Sequence, residues 1–151
     1  MTDEFRHRTR LDVRFRDVDA FGHVNNAVFL SYIEQARIRY LAESLELSIS
    51  LTDARELPLI LARTEIDYRA PIFFGEQVEV GTRIDWIGGS SFSMSHHLTA
   101  GSDARLVAEV ATILVCYDYA AGHPMPVPDQ WRARLQATEG RPLERTAQGV
   151  A

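Results

Sequence analysis

Cysteine is scarce and lysine is absent in this 151-residue chain. The single cysteine, Cys116, has no second thiol with which to form an internal disulfide or a thiolate metal cluster. No apolar run approaches the roughly 20 residues that a membrane-spanning helix needs, and residues 1–10 are too polar for a signal peptide. We therefore expect a cytoplasmic protein that has no membrane partner.

Basic charge is also in short supply. The 16 basic residues, all arginine, are outnumbered by 21 acidic ones, which gives a net charge of −5. Nucleic-acid-binding proteins usually carry a basic face, so we expect no nucleic-acid partner. The length and the 46% hydrophobic content suit one domain with a sizeable core. We place this single domain at residues 1–137 and expect the polar residues 138–151 to form a flexible tail.

Asparagine occurs only twice, as the adjacent pair Asn25 and Asn26. A shared shortage of lysine and asparagine is typical of a GC-rich coding sequence, so this pair stands out against the bias. The pair lies directly ahead of a long helical pattern, where an asparagine side chain can accept a hydrogen bond from the first turn. The junction between loop and helix is therefore the first place to look for function.

Hydrophobic periodicity predicts an α+β domain. Residues 11–16 alternate as a strand does, and residues 27–45 have a broad apolar face with helical spacing. Further expected elements are four strands and a short helix, at residues 59–68, 77–87, 91–99, 105–119 and 129–137. A long apolar helix needs a sheet curled around it, here a mostly antiparallel one. Because one sheet face or edge would stay uncovered, we expect a homo-oligomer.

Two carboxylates, Asp17 and Asp19, lie in the loop between the first strand and the helix. Both share the parity of the inward strand residues if the extended conformation persists. The N–H groups of a first helical turn can stabilise negative charge on a carbonyl oxygen. A carboxylate beside them can attack an acyl carbon or activate a water molecule. This combination predicts acyl-transfer chemistry.

The same region carries a family resemblance. Residues 17–30 read Asp-Val-Asp-Ala-Phe-Gly-His-Val-Asn-Asn-Ala-Val-Phe-Leu, and Glu34 and Arg37 follow on the helix. This segment resembles the signature of hotdog-fold acyl-CoA thioesterases, in the 4-hydroxybenzoyl-CoA thioesterase-like group. The likeness extends over roughly residues 8 to 135 and includes three later blocks, at residues 66–71, 75–80 and 88–92.

The resemblance implies a fold, a reaction and an assembly. The fold would be a five-stranded, mostly antiparallel sheet wrapped around a long central helix. The reaction would be hydrolysis of an acyl-CoA to the free acid and coenzyme A, which is part of the substrate, with no metal or bound cofactor. The assembly would be a dimer with active sites at the subunit interface, or a tetramer.

The resemblance also implies roles for particular residues. Asp19 would be the catalytic carboxylate, either as a nucleophile or as a base toward water, and the Asn26 backbone N–H would bind the thioester oxygen. His23 would line the pocket and help to orient the reacting groups. The expected substrate-binding residues are Asn25, Gly22, Ser90 and Ser91. Glu34 is the alternative carboxylate, because another hotdog subgroup carries its carboxylate on the central helix.

Several polar residues also have simpler interpretations that need no catalytic role. Asp17 and Asp19 could be turn residues that bond their own backbone, and for Asp17 we favour a supporting, hydrogen-bonding role. His96 and His97 are adjacent on a strand and point to opposite faces, so they should not share a metal ion. Ser91 lacks the glycine pattern of a nucleophile elbow, which argues against a serine hydrolase.

The sequence is compatible with three alternatives. The substrate could be an acyl group on acyl carrier protein instead of coenzyme A. The domain could also be a hotdog module that binds acyl-CoA without hydrolysing it. The arginines within residues 6–16 could attract the phosphates of coenzyme A or could form a solvated strand face.

Overall fold

The computed structural model describes residues 4–47 and 57–145. Its elements are β1 (His7–Asp12), a 3-10 turn (Phe15–Asp17), α1 (Asn26–Ser44), β2 (Leu59–Tyr68), β3 (Gln77–Ile87), β4 (Ser91–Ala100), β5 (Arg105–Asp118), β6 (His123–Pro124) and α2 (Asp129–Glu139). The strands are arranged in the order β1-β3-β4-β5-β2, and every neighbouring pair is antiparallel. The two-residue β6 pairs with the end of β5. The predicted α+β architecture is confirmed.

Helix α1 lies across one face of the sheet and forms two core clusters with it. Phe29 and Ile33 pack with strand residues near the start of the helix, and Tyr40 and Leu41 do so near its end. The opposite side of α1 stays open, and Leu30 there is 39% exposed. The expectation of a largely buried helix therefore holds only for the side that faces the sheet.

The first strand differs from the prediction of residues 11–16. The ladder with β3 ends where Asp12 pairs with Gln77, the first residue of β3, so the chain has no partner strand beyond that point. The chain then enters the 3-10 turn, and Phe15 is 83% exposed instead of facing the core. The parity argument that carried Asp17 and Asp19 inward is wrong, because the extended conformation does not persist.

The end of the chain also differs from the expected flexible tail at residues 138–151. Helix α2 continues to Glu139, and Leu143 is only 2% exposed. The Ile87 N–H donates to the Leu143 carbonyl at 2.8 Å, so the segment is attached to the end of β3. The buried Leu143 and backbone hydrogen bonds to Ile87, including one from the Arg145 N–H at 3.0 Å, dock residues 138–145. Residues 146–151 lie outside the described part.

Candidate active site

The loop that leads into α1 is a narrow hairpin. The Asn25 N–H donates to the Asp17 carbonyl at 2.9 Å, and the Asp19 N–H donates to the His23 carbonyl at 3.0 Å. The Gly22 N–H closes the tip by donating to the Asp19 carbonyl at 3.0 Å. Residues 17 to 19 therefore run antiparallel to residues 23 to 25, and the hairpin ends where the helix begins. We call residues 17–25 the catalytic hairpin.

Two contacts hold the junction between the catalytic hairpin and α1 against the segment around the end of β2. The Val24 N–H donates to the carbonyl of Ile72 at 2.8 Å, and both side chains are buried. The Tyr68 hydroxyl, at the end of β2, donates to the Asn26 carbonyl at 3.0 Å. The start of α1 is thus held against the end of β2 and the segment that follows it.

Gly22 has a positive φ of +86°, which side chains with a Cβ rarely adopt. A Cβ built at this position would meet no atom within 4 Å. The glycine is therefore needed for the backbone conformation of the hairpin tip and not for close packing within the chain.

The Asp17 carboxylate accepts two hydrogen bonds at the same oxygen. Its Oδ2 accepts from the Tyr32 hydroxyl at 2.8 Å and from the Arg14 backbone N–H at 2.9 Å. Burial and the bond to Asp17 both raise the pKa of Tyr32 above its ordinary value, so the hydroxyl stays protonated and acts as the donor. Asp17 therefore supports the hairpin, as its expected role required.

Asp19 has a different environment two residues along the chain. Its side chain is half-buried, and among the described residues only the Phe21 backbone N–H donates to it, to Oδ1 at 2.9 Å. This bond is the turn contact that the simpler interpretation expected. It orients the carboxylate and leaves Oδ2 without a partner in the described part of the chain. The turn role and a chemical role are therefore compatible.

His23 lies directly opposite Asp19 in the catalytic hairpin. Side chains opposite each other in antiparallel pairs point to the same face, with Cβ atoms about 5 Å apart. The His23 ring stacks on Phe21 at 6.3 Å between centroids, and its Nδ1 is 3.4 Å from the Val24 carbonyl oxygen. The imidazole therefore faces the same space as the Asp19 carboxylate.

The amino end of α1 is capped by Asn25. Its Oδ1 accepts from the Ala27 N–H at 2.8 Å, and Asn26 is the first helical residue. N–H groups of a first turn have no intrahelical acceptor, and the helix dipole adds partial positive charge there. The Asn26 N–H is therefore in the place that the resemblance requires for binding a thioester oxygen, whereas the Asn25 side-chain oxygen is committed to capping.

Glu34 is the alternative carboxylate, and the structure places it elsewhere. It lies on the exposed side of α1, eight residues after the first helical residue. At 1.5 Å per residue, this is about 12 Å along the helix axis from Asn26. Its negative charge acts on the neighbouring Arg37, whose pKa is lowered by burial and partly restored by Glu34.

Ser90 and Ser91 lie at the opposite end of the sheet from the catalytic hairpin. They belong to the turn between β3 and β4, where the Gly88 N–H donates to the Ser91 carbonyl at 2.7 Å. Tyr68, which contacts the first residue of α1, is in register with Val80 of β3 through the intervening strands β5 and β4. From Val80 to the turn is roughly 25 Å along β3. Within one chain, therefore, these serines are not brought together with Asp19.

Three contributors to this site were missed at the sequence level. Tyr32 and Tyr68 each donate a hydroxyl hydrogen bond to the hairpin region, and Phe21 contributes its backbone N–H. Tyr68 does lie in the block at residues 66–71, but its hydroxyl partner depends on the tertiary fold. Tyr32 was counted only as part of the apolar face of α1.

Histidine and acidic residues do not assemble into a metal centre in the described part of the chain. Over residues 4–47 and 57–145, no group of three or more His, Cys, Asp or Glu side chains could hold a metal ion. His96 is fully buried beneath α1, whereas the adjacent His97 is half-exposed on the other face of the sheet, as the alternation predicted. The buried Cys116 is likewise as expected.

An antiparallel sheet that holds a long helix, with an available carboxylate beside the helix amino end, defines a hotdog-fold protein of the thioesterase class. The chain belongs to the Thioesterase-like superfamily, whose pattern matches residues 13–135. The predicted family and fold are thereby confirmed.

Individual relatives agree with this assignment. The chain is 25% identical over 129 residues to the long-chain acyl-CoA thioesterase FadM of Escherichia coli, covering 85% of this chain and 96% of that protein. It is 28% identical over 127 residues to a 1,4-dihydroxy-2-naphthoyl-CoA hydrolase of Synechococcus elongatus, covering 83% and 92%.

A solved structure is more similar in sequence. A thioesterase of Thermus thermophilus, crystallised with coenzyme A and zinc, is 44% identical with a TM-score of 0.81, covering 94% of this chain and 100% of that one. Together these relatives confirm the prediction of a thioester hydrolase. None of the helices in the described residues has the length and apolar character required to cross a membrane.

Proposed function

We propose that this protein hydrolyses the thioester of an acyl-CoA and that Asp19 is the carboxylate that carries the reaction. The observation that supports this most strongly is the contrast within the Asp-Val-Asp segment. The Asp17 side chain is buried and is bonded by Tyr32 and Arg14, whereas Asp19 is only half-buried and accepts a single bond on the face shared with His23. Coenzyme A thioesters are the substrates named for the relatives in E. coli and S. elongatus.

The reaction can follow either of two balanced routes. As a base, Asp19 takes a proton from water while the water oxygen bonds to the acyl carbon. As a nucleophile, Asp19 itself bonds to that carbon, and water later hydrolyses the mixed anhydride. In both routes the Asn26 N–H binds the oxygen on which negative charge develops. The C–S bond breaks when the tetrahedral intermediate collapses, which in the nucleophilic route precedes hydrolysis of the anhydride. The thiolate of coenzyme A leaves and takes up a proton. Neither route requires a metal ion or a bound cofactor, and coenzyme A enters as part of the substrate and is released as the free thiol.

The proposed site is completed by a second copy of the chain. Strand β2 is an edge of the sheet, and two of its residues, Leu61 and Tyr68, are 44% and 43% exposed. Exposed edge strands readily pair with another chain. Antiparallel pairing of two β2 strands would place the beginning of one strand beside the end of the other. A dimer of this kind is our proposal, and a tetramer and a cytoplasmic location stay predictions.

Such a dimer would bring the distant turn to the catalytic hairpin. Leu59, at the start of β2, pairs with Cys116, whose N–H donates to the Ser90 carbonyl at 2.7 Å. The turn at residues 88–91 would then lie beside the end of β2 in the other copy, where Tyr68 contacts Asn26. This arrangement supports the substrate-binding roles of Ser90 and Ser91, together with those of Gly22 and Asn25.

The experiment is release of free thiol from a panel of thioesters by the full-length protein. The panel holds short, long and aromatic acyl-CoAs and the same acyl groups on acyl carrier protein, and binding of each is measured in parallel. We expect turnover of at least one acyl-CoA, with the acyl-carrier-protein thioester hydrolysed more slowly.

Two outcomes would reject this function. Tight binding of acyl-CoA without any thiol release would identify a binding module. Faster hydrolysis of every acyl-carrier-protein thioester would identify the carrier protein as the true partner.

A further inference from the structure

A cleft of about 490 Å³ opens between the end of β1 and α1, immediately beside the catalytic hairpin. Arg10, Arg14 and Arg16 lie on its β1 side, and Ser31 and Gln35 of α1 lie opposite. Asp17, the first residue of the hairpin, also lines it. We call this space the arginine cleft.

Arginine outnumbers acidic residues around the arginine cleft, on a protein that is acidic as a whole. The chain has a net charge of −5, yet this one space is lined by three arginines and two carboxylates, Asp12 and Asp17. Arg14 and Arg16 are exposed and form no ion pair with any described residue, whereas Arg10 is held by Glu79 at 3.2 Å. Asp17 also lines the cleft, but its Oδ2 already accepts two hydrogen bonds. Guanidinium groups that lack a protein partner are well suited to phosphate groups.

An exposed aromatic ring lies between the two unpaired arginines in the chain. Phe15 is 83% exposed at the 3-10 turn and meets the edge of the Phe74 ring at 6.0 Å between centroids. An aromatic face that is open to solvent can stack with a nucleobase. The Arg-Phe-Arg turn therefore presents phosphate-binding and base-stacking groups side by side.

We propose that the arginine cleft binds the phosphate groups of the nucleotide half of the acyl-CoA, with Phe15 against the adenine ring. This assignment rests on the proposed function and adds the place where the nucleotide binds. Asp17 joins the two regions, because it lines the cleft with its side chain and pairs with Asn25 through its carbonyl. The nucleotide and the thioester of one substrate molecule would thus lie on either side of the same hairpin.

The test compares Arg14→Gln/Arg16→Gln with a control that removes the same charge elsewhere. The control is Arg6→Gln/Arg134→Gln, since neither arginine lines the cleft or belongs to β2, Arg6 is exposed, and Arg134 is paired with Glu46 at 3.1 Å. The substrates are an acyl-CoA and the same acyl group on pantetheine, which has no nucleotide. Binding of free coenzyme A is measured directly by calorimetry for each protein.

We expect the cleft variant to raise KM for the acyl-CoA about tenfold or more, because charge-assisted hydrogen bonds to phosphate are lost. Its kcat and its KM for the pantetheine thioester should stay near the wild-type values, and free coenzyme A should bind about tenfold more weakly. The control should resemble the wild type in every measurement.

Each other result overturns the assignment in a recognisable way. An unchanged KM for acyl-CoA with unchanged coenzyme A binding rejects the cleft even if the protein is a thioesterase. An equal rise in KM for the pantetheine thioester shows that the arginines only shape the hairpin. If no thioester is hydrolysed, the proposed function fails, and coenzyme A binding still decides on the cleft.

Discussion

Asp17 and Asp19 illustrate how two identical residues receive different roles. One oxygen of Asp17 accepts from both the Arg14 N–H and the Tyr32 hydroxyl, whereas Asp19 accepts only from the Phe21 N–H among the described residues. A buried carboxylate that holds its loop is a poor reagent, and a more accessible one that is oriented by a single bond is a better one. The difference lies in the contacts and not in the residue type.

The sequence could identify these two aspartates, but the alternation of the preceding strand could not show which one is structural and which one is the candidate for catalysis. The resemblance pointed to Asp19, while the alternation of residues 11–16 treated both carboxylates alike. The alternation failed because β3 begins at Gln77 and gives the chain no partner after Asp12. The Tyr32 hydroxyl, which occupies Asp17, comes from a helix residue that was assigned to the apolar face.

His96 is a second residue whose behaviour is set by its surroundings. It is fully buried, its Nδ1 is 3.1 Å from the Thr82 hydroxyl oxygen, and its Nε2 has no partner among the described residues. Burial, together with the positive charge of Arg37, lowers the pKa of His96 from 6.5 to about 3. The ring of the folded protein therefore stays neutral well below pH 6.5.

This burial predicts a dependence of stability on pH. Between about pH 3 and 6.5 the unfolded chain binds a proton at His96 that the folded chain does not, so stability falls as pH is lowered through this window. We expect His96 to account for a loss of about 2 kcal/mol in the free energy of unfolding from pH 7 to pH 5, measured by urea denaturation as the difference between the wild type and a variant without this histidine.

The His96→Gln variant should lack this pH-dependent part of the unfolding free energy, whatever its stability at pH 7. His123→Gln is the matched control, because His123 is exposed, and it should keep the wild-type pH dependence. If His96→Gln loses as much free energy between pH 7 and pH 5 as the wild type, then His96 is not held neutral by burial.

At the scale of elements, the start of α1 was well predicted. The helix begins one residue before the expected boundary, and the asparagine pair is divided into a cap, Asn25, and a first helical residue, Asn26. The periodic strands at residues 59–68 and 77–87 have the predicted bounds, since alternation in a paired strand is a strong signal. The docking of residues 138–145 was missed because the segment has one buried apolar residue, Leu143, and its other contacts are backbone and arginine hydrogen bonds to β3 that depend on the tertiary fold.

The cap gives a prediction at this scale. Asn25→Ala should lower the free energy of unfolding by about 1 kcal/mol, because the Ala27 N–H loses its acceptor. Asn25→Asp should keep the cap and the stability, yet lower kcat. The carboxylate at this position would repel the negative charge that develops on the thioester oxygen bound by the Asn26 N–H.

Urea denaturation and thiol release from the best acyl-CoA measure the two effects separately. Asn25→Ser, which keeps a capping oxygen without a charge, is the control and should retain the wild-type stability and kcat, although KM is free to change because Asn25 also has a proposed substrate-binding role. If Asn25→Asp has wild-type kcat, the first turn of α1 does not bind the developing negative charge.

At the scale of the whole molecule, the catalytic hairpin and the turn at residues 88–91 lie at opposite ends of the sheet in one chain. The proposed dimer through β2 would unite them across the interface. Sequence alone could predict an uncovered edge, but which strand forms it depends on the order β1-β3-β4-β5-β2, which no local pattern encodes.

Mixing two inactive variants tests this shared site. Asp19→Asn removes the carboxylate, and Gly89→Trp fills the space next to the partner's hairpin. A Cβ at Gly89 would meet nothing within 4 Å in its own chain, so this substitution should fold. Refolding the two variants together at equal amounts should restore about a quarter of wild-type activity, because half of the dimers would hold one intact site.

Equal unfolding midpoints for both variants and the wild type serve as the control for folding. A mixture no more active than its parents would show that the site is contained within a single chain. Sedimentation of the wild type as a monomer would reject the dimer directly.

The central claim is that Asp19 carries the reaction, and thiol release by Asp19→Asn tests it most directly. With the acyl-CoA that the wild type hydrolyses best, we predict that kcat falls at least a hundredfold while KM changes little, because the substitution keeps the shape of the side chain and removes its basicity. Glu34→Gln, which alters a carboxylate about 12 Å further along α1, should retain nearly all activity. An active Asp19→Asn together with an inactive Glu34→Gln would contradict the account.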